Sequence, residues 1–152
     1  MMLRTHLAIG VFAVLLFLPH VTEKAIFIVV AVIASILPDI DSGFSTFGRL
    51  GISRFAQFLT KHRGFLHSFS FCFVIVAILA FFLPVLSLPF FVGYSIHLFA
   101  DSFTIEGIKP FWPLRTASSW KLRTGSYSET VLFIIFLLTN VFILIFFAKS
   151  IF

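Results

Sequence analysis

The sequence predicts an all-α integral membrane protein: a polytopic bundle of about four or five transmembrane or re-entrant helices with a short interfacial amphipathic helix. Three observations predict it. The chain of 152 residues is 60% hydrophobic and only 11% charged. Its mean hydropathy is +1.12, and a soluble domain of this size would expose too much apolar surface to stay dispersed. The apolar residues, 24 phenylalanines among them, gather into five runs separated by polar stretches. No internal repeat and no long linker interrupts them, so residues 1–152 are expected to form one membrane domain.

Residues 7–18 make the first run, with Arg4 and His6 at its start. A charged start before an apolar run also fits a secretory signal peptide, but residues 19–24 lack a small-x-small cleavage pattern, and a retained helix is expected. The second run, 25–37, meets Pro38, which disfavours helical geometry at Leu37. Residues 69–86 and 131–148 approach the length that crosses a hydrocarbon core of about 30 Å at about 1.5 Å per residue. The first, second and fourth (90–100) runs are shorter, so they are expected to recruit polar flanks, tilt, or form a hairpin that does not fully cross. Between the second and third runs, Phe47, Leu50, Phe55, Phe58 and Leu59 recur at near-helical spacing among Arg49, Ser53, Arg54, Gln57 and Lys61. That pattern predicts an amphipathic helix in the interface, its basic face toward anionic lipid headgroups. The stretch 106–128, with Gly107, Pro110, Trp112, Pro113 and Trp120, is expected to be an irregular loop at headgroup depth.

The net charge of +5 is unevenly placed. If all five runs cross and the N-terminus is cytoplasmic, nine basic residues lie inside (Arg4, Arg49, Arg54, Lys61, Arg63, Lys109, Arg115, Lys121, Arg123) against two outside, Lys24 and Lys149. The positive-inside bias therefore predicts a multi-pass protein of the inner (plasma) membrane with its N-terminus in the cytoplasm. No nucleic-acid-binding motif accompanies the charge, so the basic clusters point to topology and lipid rather than to nucleic acid. The single cysteine, Cys72, has no partner for a disulfide or a thiolate metal site and is expected to be a small core residue.

Under this topology His6, Asp39, Asp41, His62, His67, His97, Asp101 and Glu106 all fall at one membrane face, while His20 falls at the other. Ionisable groups at a bilayer are costly and mark functional sites. His97 and Asp101, four apart on a helix, share a face and can reach one ion. Asp39 and Asp41 can point into one site from a turn after Pro38. His62 and His67 bracket a helix start, with Arg63 and Ser68 suited to phosphoryl oxygens. Each also has a plainer role open to it: a histidine bonded to a nearby aspartate, a solvated helix end, a topology arginine, a helix-start serine. Glu106 is equally a further ligand or a solvated loop glutamate. Imidazole and carboxylate donors without cysteine suit zinc, with manganese or iron as alternatives. Their number favours two or more ions able to activate water and clamp a phosphoryl or acyl group. No Gly-x-Ser-x-Gly elbow, phosphate-cradling glycine loop or cysteine nucleophile motif is present.

Thr5-His6, Leu37-Pro38-Asp39-Ile40-Asp41, His62-Arg63-Gly64-Phe65-Leu66-His67-Ser68 and His97-x-x-x-Asp101, followed by Gly107 and Trp112-Pro113, occur in the order of the YdjM-like family. The chain resembles that family over roughly residues 5–113. Its members are described as membrane-bound, LexA-regulated, metal-dependent hydrolases, and the family looks distantly similar to the zinc-dependent phospholipase C and single-strand nuclease superfamily. The resemblance implies metal ligation by His6, Asp39, His62 or His67, His97 and Asp101, with Asp41 as a further ligand or orienter and a metal-bound hydroxide as nucleophile. The later histidine and glutamate pair of the soluble phospholipases is missing here. The resulting expectation is a membrane-embedded phosphoesterase acting on a phospholipid or amphiphilic phosphate, with Asp39, Arg63 and Ser68 as catalytic residues. A metal transporter or sensor, and a scaffold with a structural metal, are the rival readings.

Overall fold

The computed structural model describes residues 1–39 and 65–151, the last four of these by their backbone only. The expected interfacial helix, and with it Asp41, His62 and Arg63, lies outside the described residues. Within them the chain is all-helical: α1 (Leu3–Phe17), α2 (Lys24–Ala34), α3 (Phe69–Phe82), α4 (Pro84–Ser102) and α5 (Tyr127–Ile151), with short 3-10 turns at Leu18–His20 and Leu37–Asp39. Three stretches are long and apolar enough to cross a membrane: Leu3–His20, Pro84–Ser102 and Tyr127–Phe147. The 3-10 turn carries α1 to that length, as polar flanks were expected to do. The α2 helix, at 11 residues, stays short.

The boundary between the third and fourth runs differs from expectation. The sequence suggests a helix over 69–86 and another over 90–100, but the break falls at Leu83. Pro84 decides it: lacking an N–H and fixed near helical φ, it starts a helix at no hydrogen-bonding cost. Leu83 adopts φ −142° and ψ 64° and serves as both the end of α3 and the start of α4. Pro89, which lies between those two runs in the sequence, falls inside α4.

The α4 helix is the centre of the bundle and packs against α1, α2 and α3, whereas α5 packs on α1. Its buried seam runs Phe90, Gly93, Tyr94, His97, Asp101, at the three- and four-residue spacing of one helical face. The seam is apolar for its first half and ionisable at its end. Gly93 makes the approach to α2 possible, because a Cβ there would lie 2.1 Å from the Ala31 carbonyl oxygen. Tyr94, Leu98, Cys72 and Ala34 close the main core, and Cys72 is fully buried as its apolar setting predicts.

The segment after α4 is more ordered than the irregular loop expected. Ile108 and Ser118 exchange two backbone hydrogen bonds of 2.9 Å, and Thr104 bridges to Leu122. The Pro110 carbonyl accepts the Phe69 N–H at 2.8 Å, and Trp112 packs edge-on against Phe65. This loop is thereby tied to the turn that precedes α3. Trp112 and Trp120 remain exposed, as residues at headgroup depth would be.

Candidate metal centre

Four elements deliver one donor set to one end of the bundle. His6 comes from the first turns of α1, Asp39 from the 3-10 turn after α2, His67 from the turn before α3, and His97 with Asp101 from the last turns of α4. His20 lies at the far end of α1, exposed. The convergence expected from the membrane topology is therefore present in the packing.

Local chemistry explains each placement. Pro38 ends the regular helix, and the following 3-10 turn swings Asp39 back toward α4. Ser68 caps α3: its Oγ accepts the Phe71 N–H at 3.2 Å and donates to the Phe65 carbonyl at 2.6 Å. The serine thus takes the helix-start role, with its proton committed inside its own turn. Tyr94 donates its hydroxyl hydrogen bond to the Leu66 carbonyl, pinning that turn to α4 next to His67.

The two carboxylates face two ways. Asp39 presents Oδ2 to His6 Nε2 at 3.7 Å and Oδ1 to His67 and His97 Nε2 at 3.6 and 3.7 Å. Asp101 presents Oδ1 to His6 Nε2 at 3.2 Å and Oδ2 to His97 Nε2 at 3.8 Å. Donor atoms of Asp39, His67, His97 and Asp101 all lie within 4.8 Å of one another. The His6 and His97 rings stack at 3.9 Å between centroids.

These imidazole–carboxylate approaches are too long or too poorly aligned for hydrogen bonds. Nε2 of His97 and both ring nitrogens of His6 and His67 are buried without a hydrogen-bond partner among the described residues. Each such orphan costs about 1–3 kcal/mol unless something satisfies it. A divalent cation does so for several at once, and a nitrogen and oxygen donor set without sulfur suits zinc, manganese or iron. The residues present therefore fit a metal. His97 is further prepared by the Ser35 carbonyl, 2.8 Å from its Nδ1. That bond places the proton on Nδ1 and leaves the Nε2 lone pair facing the carboxylates. Burial pushes the Asp39 carboxyl up, but the facing imidazoles of His67, His97 and His6 outweigh it and hold the group below the usual aspartate range.

Two contacts at the site have no counterpart in the expectations from sequence. The Met1 ammonium lies 2.8 Å from Asp101 Oδ1, with both groups buried. Glu129, fully buried at the start of α5, accepts the Met2 N–H at 2.6 Å and the Gly125 N–H at 2.5 Å. A lone acid opening the last apolar run is the signal that could have flagged Glu129. Glu106 is exposed and stands outside the clustered donors.

Comparison with known proteins agrees with a membrane protein. Over 103 residues the chain is 30% identical to the uncharacterized protein YvsG of Bacillus subtilis (strain 168). The match covers 64% of this chain and spans 64% of that relative's length. No solved structure matches. The model of the YdjM inner membrane protein family matches residues 1–151, taking in every helix and every donor described above. The chain belongs to the YdjM inner membrane protein family.

Proposed function

We propose that the protein is a metal-dependent hydrolase of the membrane interface, a phosphoesterase acting on a phospholipid or another amphiphilic phosphate. The observation that carries this reading is the pair of two-faced carboxylates. Asp39 and Asp101 each turn one oxygen toward His6 and the other toward His97, so the two aspartates would hold divalent metal together with these histidines. His6, His67 and His97 would supply the imidazole ligands. Bound there, such ions supply Lewis acidity, lowering the pKa of water and polarising a phosphoryl oxygen.

The chain's own residues then divide the remaining work. The Asp39 side chain is 22% exposed while those of His6, His97 and Asp101 are buried, so Asp39 forms the open edge of the cluster. It would accept the proton of an attacking water. The open edge favours hydrolysis over a structural metal, whose ligands close around the ion. Arg63, two positions before Phe65, would hold phosphoryl oxygens by bidentate hydrogen bonding. The positive-inside bias supports a cytoplasmic position for this end of the bundle, where a lipid headgroup would reach it laterally.

The test is product release from phosphatidic acid, phosphatidylglycerol and a chromogenic phosphodiester by protein loaded with zinc or manganese in mild detergent. Asp39→Asn is expected to lower kcat about a hundredfold or more, the usual weight of a positioned base, with His20→Ala unchanged. Turnover absent from all three substrates with metal bound would reject the phosphoesterase reading.

A further inference from the structure

A hollow of about 400 Å³ opens between α1 and α5, away from the metal centre, with Leu7 and Val11 on one wall and Phe133, Leu137 and Leu144 on the other. Within each wall these residues recur four and seven apart, so each wall is one helical face. Along α5 the walls extend about 16 Å at 1.5 Å per residue. Both helices belong to membrane-spanning stretches, so the hollow faces lipid.

Two hydrogen bonds fix its shape. Asn140, buried within α5, donates from Nδ2 to the Ala8 carbonyl at 2.9 Å and locks the helices together along the hollow. At the mouth, Arg4 donates to Thr130 Oγ1 at 3.4 Å and lies 5.3 Å from the centroid of the Phe133 ring. Among the described residues no carboxylate lies within ion-pair distance of this exposed guanidinium. Exposed Arg123 and Lys121 stand just before α5, adding positive charge near the same end.

We infer that this hollow seats one anionic phospholipid, its acyl chain between α1 and α5 and its phosphate on Arg4. An apolar slot of fixed width in a bilayer takes a hydrocarbon chain. The exposed guanidinium at its mouth, without a carboxylate partner among the described residues, selects a negatively charged headgroup by charge-assisted hydrogen bonds. The site is separate from the metal centre, because Arg4 and His6 project from different faces of α1, and it stands whether or not the hydrolase reading holds.

Native mass spectrometry of the full chain in mild detergent, titrated with dioleoyl phosphatidylglycerol and then dioleoyl phosphatidylcholine, tests it. One phosphatidylglycerol is expected to bind more tightly than the rest, and phosphatidylcholine to show no such step. Arg4→Gln, at an exposed position, should weaken that step about tenfold, the worth of one charge-assisted contact. Val11→Phe, which fills the slot and keeps the charge, should abolish it, while Val29→Phe on an unrelated exposed face should leave it intact. Equal binding by wild type and Arg4→Gln would overturn the assignment, as would equal retention of the two lipids. A lipid-free dimer that Val11→Phe dissociates would also overturn it, by making a second copy the occupant.

Discussion

At the scale of single residues, the site depends on groups that hold ligands as much as on the ligands. Tyr94 shows this. Its hydroxyl satisfies the Leu66 carbonyl in the turn that carries His67. Tyr94→Phe removes one oxygen, leaves that carbonyl unpaired and should cost about 1–3 kcal/mol. The expected result is a lower thermal midpoint in detergent together with weaker metal binding, about tenfold or more, as for other groups that orient ligands. An unchanged zinc affinity, measured by competition with a chromophoric chelator, would remove Tyr94 from the site's support. Glu129→Ala should act through the other side, since it strands the Met2 and Gly125 N–H groups. A loss of about 2–3 kcal/mol is expected, and limited proteolysis should find the segment before α5 opened first. The sequence announced His6, Asp39, His67, His97 and Asp101 because ionisable residues beside apolar runs are rare and costly. Tyr94 and the Ser35 carbonyl were silent, since a tyrosine in an apolar helix and a backbone oxygen carry no pattern of their own.

At the scale of helices, the geometry of the donors is set by how closely backbones approach. Gly93 lets α4 press against α2, whose following turn bears Asp39, while α4 itself bears His97 and Asp101. Gly93→Ala must push the two helices apart, because the obstacle is the Ala31 backbone. Gly10→Ala meets the Ser35 hydroxyl at 2.6 Å, which can turn away, and the Ser35 Cβ at 2.9 Å, which asks for a smaller backbone shift than the 2.1 Å approach at Gly93. Gly93→Ala should therefore lose most bound metal and several degrees of thermal midpoint, and Gly10→Ala clearly less. Elemental analysis of the two variants side by side checks the order, and the reverse order would contradict it. Helix existence was legible from the apolar runs. The break at Leu83 was not, because Pro84 and Pro89 are equivalent punctuation in sequence, and only packing admits the second inside α4. The bridges of the loop after α4 were hidden for a related reason: they are long-range backbone pairings with no alternation of side chains to betray them.

At the scale of the whole molecule, the bundle is a device for gathering polar residues at one end while remaining apolar elsewhere. The exposed surface is dominated by phenylalanine, leucine, isoleucine and valine, and α5 is almost wholly exposed along its span. The polar end is where the tertiary structure is least self-sufficient, with five imidazole nitrogens of His6, His67 and His97 lacking hydrogen-bond partners among the described residues. A bound ion should therefore stabilise the fold in proportion to its concentration over its Kd. Treatment with a strong chelator is expected to lower the thermal midpoint, and readdition of zinc or manganese to restore it; a midpoint indifferent to both would argue that the imidazoles are satisfied by water. The clustering itself was legible from the expected topology, in which alternating crossings of the five runs would bring these segment ends to one face. What topology could not give was the two-sided use of each carboxylate, which depends on distances of a few ångströms between four separate elements.

The most direct measurement is metal content, by elemental mass spectrometry, of protein purified in mild detergent as wild type, His97→Ala, Asp101→Ala and the remote control His20→Ala. The account predicts at least one zinc, manganese or iron per chain, retained in the control and lost in both site variants. Carefully handled wild type without metal, unable to take it up, would contradict the account and leave the cluster a polar cap on a membrane bundle.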